Sequence, residues 1–249
     1  MALEQYIRVQ HEEGAPPEPP RRGGFHCYLG VLPWYHSFGL TVCMLASCGS
    51  GSRLICIPDP RAGNPPFTEV LKQVEKFKPT FVVGVPTLYS AFVNHPLIDK
   101  FDLTSIICCA SGGAPLPVEL AKDFERRTGC IIYEGYGLTE TSPVICANPS
   151  DKNKRKFGSV GFPVPNTEIK IVDLDTGTIE LPQGEDGEIA VCGPQVMKGY
   201  WRNPQANEQV FREIDGKRFF LTGDIGHIDQ DGYLVITDRK KRPHNSWRI

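Results

Sequence analysis

A chain of 249 residues is long enough to bury one large core or two smaller ones. With 40% hydrophobic and 22% charged residues it has an ordinary globular composition, which excludes fibrous and low-complexity classes. Its 27 Lys and Arg against 29 Asp and Glu leave a formal charge of −2, so no global field draws it to nucleic acid or to anionic lipid.

Residues 1–24 read as an irregular leader, because the run Gly14 to Pro20 is too rich in proline to sustain helix or sheet. No apolar segment of a signal peptide is present there. Ordered structure is predicted from Phe25. Cys27–Leu32 and Arg53–Ile57 read as short strands, with an apolar helix from Leu40 to Ala46 between them. The longest apolar stretch, Phe38 to Cys48, falls well short of the ~20 residues a membrane helix needs. Thr68 is placed to cap a helix whose buried face carries Val70, Leu71, Val74 and Phe77. Thr80–Gly84 follows as a strand, and Pro86 opens a helix running to Asn94. Ser105–Ala110 is a strand, Pro117–Thr128 a helix and Ile131–Glu134 a strand. This alternation over residues 25–150 predicts an α/β unit, a largely parallel sheet with flanking helices.

After Asn148 the texture changes. Short apolar runs at Glu168–Val172, Gly187–Val191, His227–Asp229 and Tyr233–Thr237 are separated by turn signals, the strongest being Asp231-Gly232. Residues 151–241 therefore read as a small β-rich subdomain, and 242–249 as an unmatched tail. The nine cysteines form no C-x-x-C pair, which predicts free thiols in a reducing, cytoplasmic compartment; peripheral membrane attachment is left open. The six histidines are scattered, so no structural metal is expected.

Three strings carry candidate chemistry, each expected at a strand end, where ligands of open α/β sheets bind. Ser111-Gly112-Gly113-Ala114-Pro115 lets backbone approach a flat ring or ribose closely, although alone it also reads as a plain strand-to-helix turn. Tyr133 to Pro143 holds an aromatic plate at Tyr136, a hydroxyl at Thr139 and a carboxylate at Glu140 suited to Mg²⁺. Phe219 to Asp224, followed by Arg239, offers a carboxylate for two ribose hydroxyls and a permanent cationic fork. The bland alternative makes Asp224 a turn cap and Arg239 a partner of Asp238.

Tyr136-Gly137-Leu138-Thr139-Glu140-Thr141 resembles the signature loop of adenylate-forming enzymes, a family of fatty acid–CoA ligases, 4-coumarate–CoA ligases, luciferases and peptide-synthetase adenylation domains. Leu32 to Gly39, Gly158 to Gly161, Gly187 to Ile189 and Met197 to Pro204 match in the same order. The resemblance implies part of the family's large domain. It implies that Gly112, Gly113, Ala114, Glu134, Gly135, Tyr136 and Gly137 line an adenine pocket, that Asp224 and Arg239 hold ribose, and that Thr139 meets the α-phosphate. Catalytic roles would fall to Thr139, Glu140 and His36, with Glu140 also the Mg²⁺ ligand and Lys241 the hinge to a mobile domain. ATP or AMP, Mg²⁺ and coenzyme A are the implied cofactors and co-substrate. No acidic residue follows the aromatic segment, so an uncharged acyl tail is expected, a fatty acid before an aryl acid. Phe38, Gly39, Met44 and Val144 are candidate walls for it, and equally ordinary core.

Two departures stand beside the match. The family's phosphate loop, ending Pro-Lys-Gly, has no counterpart in residues 1–35, and the family's C-terminal lysine domain has none after Lys241. The expectation is a ligase of AMP-forming type whose complete reaction is impaired in this chain alone. The alternative is a non-catalytic adenosine-nucleotide- or partner-binding module. A hydrolase is excluded by the lack of a Gly-x-Ser-x-Gly elbow, and nucleic-acid binding is not expected from two short basic runs.

Overall fold

The computed structural model describes residues 26–240, so the leader, the tail and Lys241 lie outside the described residues. Twelve strands fall into two sheets. The first has the order β2-β1-β3-β4-β5-β6-β7, built from β1 (Cys27–Gly30), β2 (Arg53–Cys56), β3 (Phe81–Gly84), β4 (Cys108–Ser111), β5 (Ile131–Gly137), β6 (Val144–Ala147) and β7 (Phe162–Pro163). Pairings from β2 across to β5 are parallel, as the helix–strand alternation predicts, and those of β6 and β7 are antiparallel. The second sheet is wholly antiparallel, joining β8 (Glu168–Val172), β9 (Gly187–Cys192), β10 (Phe211–Ile214), β11 (Lys217–Ile228) and β12 (Leu234–Arg239).

The helices bury apolar stripes against the first sheet. After β1, a π-helix, Phe38–Leu45, passes into one α-turn, α1 (Ala46–Gly49). Next come α2 (Thr68–Phe77), α3 (Pro86–Val93) and α4 (Val118–Thr128); α5 (Pro204–Val210) precedes the second sheet's long strand. Val70, Leu71 and Val74 of α2 and Phe92 and Phe124 of α3 and α4 are fully buried in one core with Leu29, Val82 and Ile132. A second core spans the two sheets: Ile145 and Cys146 of β6 pack with Ile171, Ile189, Val191 and Leu234. The Leu234 N–H donates to the Gly161 carbonyl and the Val160 N–H to the Leu234 carbonyl, which fixes that junction. Among the described residues no helix is long and apolar enough to cross a membrane.

Local expectations are corrected in two places. Thr68 does not cap α2: it is the first helical residue, its hydroxyl donates to the Pro65 carbonyl and faces His95 Nε2, and Phe67 takes the cap position with φ 72°. The apolar helix expected from Leu40 to Ala46 is present, inside a helical run over 38–49 that is π-helical across Phe38–Leu45. The string from Phe219 to Asp224 does not end a strand. It lies inside β11, where the register with β9 slips between Leu221 and Ile225 and Gly223 takes φ 78°. A bulge thus aims Asp224 from the middle of a strand.

Candidate functional site

The parallel strands present their C-terminal ends along one edge: Gly84 pairs with Ser111, and Ser111 with Glu134. The glycine loop leaves β4 here, with Gly113 at φ 77°. A Cβ added at Gly112 would meet the Phe38 ring at 3.1 Å and the Gly135 carbonyl at 3.3 Å. Three segments distant in sequence, around 38, 112 and 135, are therefore packed so closely that a side chain at Gly112 would be tight. Ser111 Oγ, fully buried at the foot of this loop, has no hydrogen-bond partner among the described residues.

Glu134 is half-buried and accepts the Leu116 N–H at 2.8 Å, which pins the end of the glycine loop to β5. Burial pushes its carboxyl up to about 7, against the opposing pull of that N–H. The fold favours the protonated form, so the stability present in acid is lost as pH rises from the ordinary carboxylate range through about 7. Glu134→Gln is expected to remove this slope. Denaturation at pH 5 and pH 8 should show the variant gaining on the wild type by up to about 3 kcal/mol at the higher pH; parallel profiles contradict it.

From Glu134 the strand continues through Gly135 and Tyr136 to Gly137. The Tyr136 hydroxyl donates to Asp224 Oδ2 at 2.6 Å across 88 positions of sequence, joining the first sheet to the bulge of the second. Burial first, then the neighbouring Asp224 charge, raises the Tyr136 phenol far above its usual range, so it stays a donor. Asp224 is itself buried and pairs in register with Arg239, whose Nε lies 3.6 Å from Asp224 Oδ1. Arg239 remains largely exposed, so this ion pair adds little stability.

The signature turn, Thr139–Thr141, is fastened from inside. Thr141 is fully buried; its hydroxyl receives the Leu138 N–H and donates to the Pro143 carbonyl at 2.6 Å. Thr139 is left exposed and Glu140 half-buried. Ser37 Oγ lies 3.4 Å from Thr139 Oγ1, bringing the His36 segment against this turn. His36 is exposed, and its Nδ1 receives the Phe38 N–H at 3.2 Å, which puts the proton of the neutral ring on Nε2. Glu140 Oε1 accepts the Tyr200 hydroxyl at 2.8 Å, and the Glu140 carbonyl accepts the Met197 N–H.

Contacts thus link most of these residues pairwise: Ser37, beside His36, meets Thr139, Gly112 meets Gly135, and Tyr136 reaches Asp224, which faces Arg239; Ala114 is exposed on the glycine loop, and Lys241 lies outside the described residues. Phe38 and Val144 pack on one cluster with Tyr28, Val42 and Val83. Sequence reading missed the link from Tyr200 to Glu140, whose only signal was an aromatic inside the Met197–Pro204 string.

Residues 8–201 match the AMP-binding enzyme family. The chain is 45% identical over 215 residues to a long-chain-fatty-acid–CoA ligase of Bacillus subtilis, covering 86% of this chain and 36% of that protein. It superposes with TM-score 0.79 and 25% identity on a long-chain-fatty-acid–CoA ligase from Archaeoglobus fulgidus, covering 96% of this chain and 46% of the other. O-succinylbenzoate coenzyme A synthetase from Bacillus subtilis, solved in complex with ATP and a magnesium ion, gives TM-score 0.72 at 27% identity over 96% of this chain and 45% of its own. The chain spans little more than a third of the length of the curated relatives it matches.

Proposed function

Because the chain belongs to the AMP-binding enzyme family, we propose that it carries the adenosine-phosphate and acyl site of an AMP-forming acid–thiol ligase acting on a fatty acid. The observation that carries the reading is the 2.6 Å bond from Tyr136 to Asp224, which makes one cradle of the adenine strand and the ribose carboxylate. We divide the site between an α/β unit up to about residue 150 and a β-rich unit after it. An aryl acid is the second choice of substrate.

A carboxylate is a poor electrophile because it would have to expel oxide. Attack by its oxygen on the α-phosphorus of ATP breaks the bond to the bridging oxygen, releases pyrophosphate and leaves an acyl-AMP anhydride. The thiol of coenzyme A then attacks the acyl carbon, AMP departs and the thiol proton passes to solvent. The protein's part is orientation and charge placement. Gly112, Gly113 and Ala114 flank the adenine with Glu134, Gly135, Tyr136 and Gly137. Asp224 and Arg239 take the ribose hydroxyls, Thr139 donates to the α-phosphate, and His36 donates toward the acyl carboxylate. Tyr136 uses one acceptor position of Asp224, and a carboxylate has roughly four, so a diol can be received beside it.

A magnesium ion fits the residues present. It asks for one or two carboxylates plus phosphate oxygens; the half-buried Glu140, one of whose oxygens accepts the Tyr200 hydroxyl, offers the carboxylate, and the nucleotide would bring the phosphate oxygens. When bound, it neutralises charge on the transferring phosphates.

Calorimetric titration tests the reading. AMP should bind without metal, ATP should bind more tightly with Mg²⁺, and Glu140→Gln should abolish the Mg²⁺ enhancement while leaving AMP affinity within about twofold. Absence of binding by both nucleotides contradicts it.

A further inference from the structure

From the second sheet we infer that Glu188 is a positioning residue for the ribose clasp, acting through Asp224 and Arg239 without touching the nucleotide. This rests on the adenosine-binding reading above and deepens it. Glu188 is 3% exposed, a carboxylate in a strand that is buried from Gly187 through Val191. Both of its oxygens are engaged. Oε1 accepts the Gly223 N–H at 3.0 Å, and Oε2 accepts Lys240 Nζ at 2.9 Å.

Those two partners bracket the clasp. Gly223 is the bulge residue immediately before Asp224, and Lys240 immediately follows Arg239. The Lys240 N–H in turn donates to the Gly223 carbonyl at 2.8 Å, closing a ring through Glu188. Thr222 completes the support: its hydroxyl donates to the Ile189 carbonyl and receives the Asp224 N–H at 3.1 Å. A regular antiparallel ladder needs no side chain to satisfy its N–H groups. At the slip between β9 and β11 the ladder cannot reach the Gly223 N–H, and Glu188 takes its place. A buried carboxylate used twice at this slip between β11 and β9 sets the direction in which Asp224 projects. Its second oxygen fixes the strand end that carries Arg239.

The ribose hydroxyls are the part of the ligand this ring addresses, so the test compares AMP with 2′,3′-dideoxy-AMP on the same chain by calorimetry. The wild type should prefer AMP. Glu188→Gln keeps an acceptor for the Gly223 N–H but loses the ion pair, and should cut the AMP preference by about tenfold with dideoxy-AMP affinity unchanged. Glu188→Leu should cut it further. If Leu fails to fold, the Gln variant decides. Full preference retained in Glu188→Gln, or equal loss for both nucleotides, overturns the positioning role and leaves the adenosine site standing. A wild type that binds neither nucleotide overturns both readings together.

Discussion

Gly137→Ala is expected to destabilise the chain by about 3 kcal/mol or more and to abolish nucleotide binding. The added Cβ would stand 1.7 Å from the Pro143 carbonyl oxygen and 2.6 Å from its carbon. Both are backbone atoms, so no rotamer change relieves the clash. The 138–143 turn must move by more than the missing distance. That breaks the Leu138 N–H to Pro143 bond and the bond from the Thr141 hydroxyl to the same carbonyl. Because Thr139 and Glu140 ride on this turn, the proposed phosphate side of the site goes with it. Gly135, two residues earlier, makes the control: its Cβ would meet only the Cys146 carbonyl at an ordinary 3.5 Å, and Gly135→Ala should keep wild-type stability. Thermal denaturation and AMP titration of both variants check the contrast; equal stability of the two contradicts it.

Asp224→Asn is expected to act the other way, on binding with little change in stability. The amide retains the volume and one acceptor for the Tyr136 hydroxyl, so the junction of the sheets survives. What disappears is the charged acceptor proposed for the ribose diol. Hydrogen bonds to a charged group contribute about 1.5–3 kcal/mol each, so losing this clasp should weaken AMP on the order of 100-fold. A nucleotide lacking both hydroxyls should lose far less, and a uniform loss would place the ribose elsewhere. Titration of AMP and dideoxy-AMP against a variant of unchanged melting temperature separates these outcomes.

The parallel half of the fold was legible because each helix carries its apolar stripe at helical spacing, as Val70, Leu71 and Val74 do, and each buried strand is a short apolar run between turns. The glycine and signature strings stand out in the sequence because their residue types would suit phosphate and adenine chemistry, the role proposed for them. β6 escaped because Pro143 precedes it and the run is four residues long. The span 217–228 was read as a string and a separate short strand because Gly223 and Asp224 look like a turn; only tertiary pairing with β9 carries the chain straight through the bulge. Contacts across 88 and 60 positions, Tyr136 to Asp224 and Tyr200 to Glu140, leave no periodic trace in a single sequence. The bonds of Glu188 leave no trace for the same reason: its partners lie on β11 and just past β12.

Hydrogen exchange of the chain with and without AMP measures the central claim most directly. If one cradle receives the nucleotide, exchange should slow together in 111–116, 134–141 and 222–226, while α2 and the 173–179 turn stay unchanged. Protection confined to one of those three segments, or falling on α2 instead, would contradict a shared adenosine site.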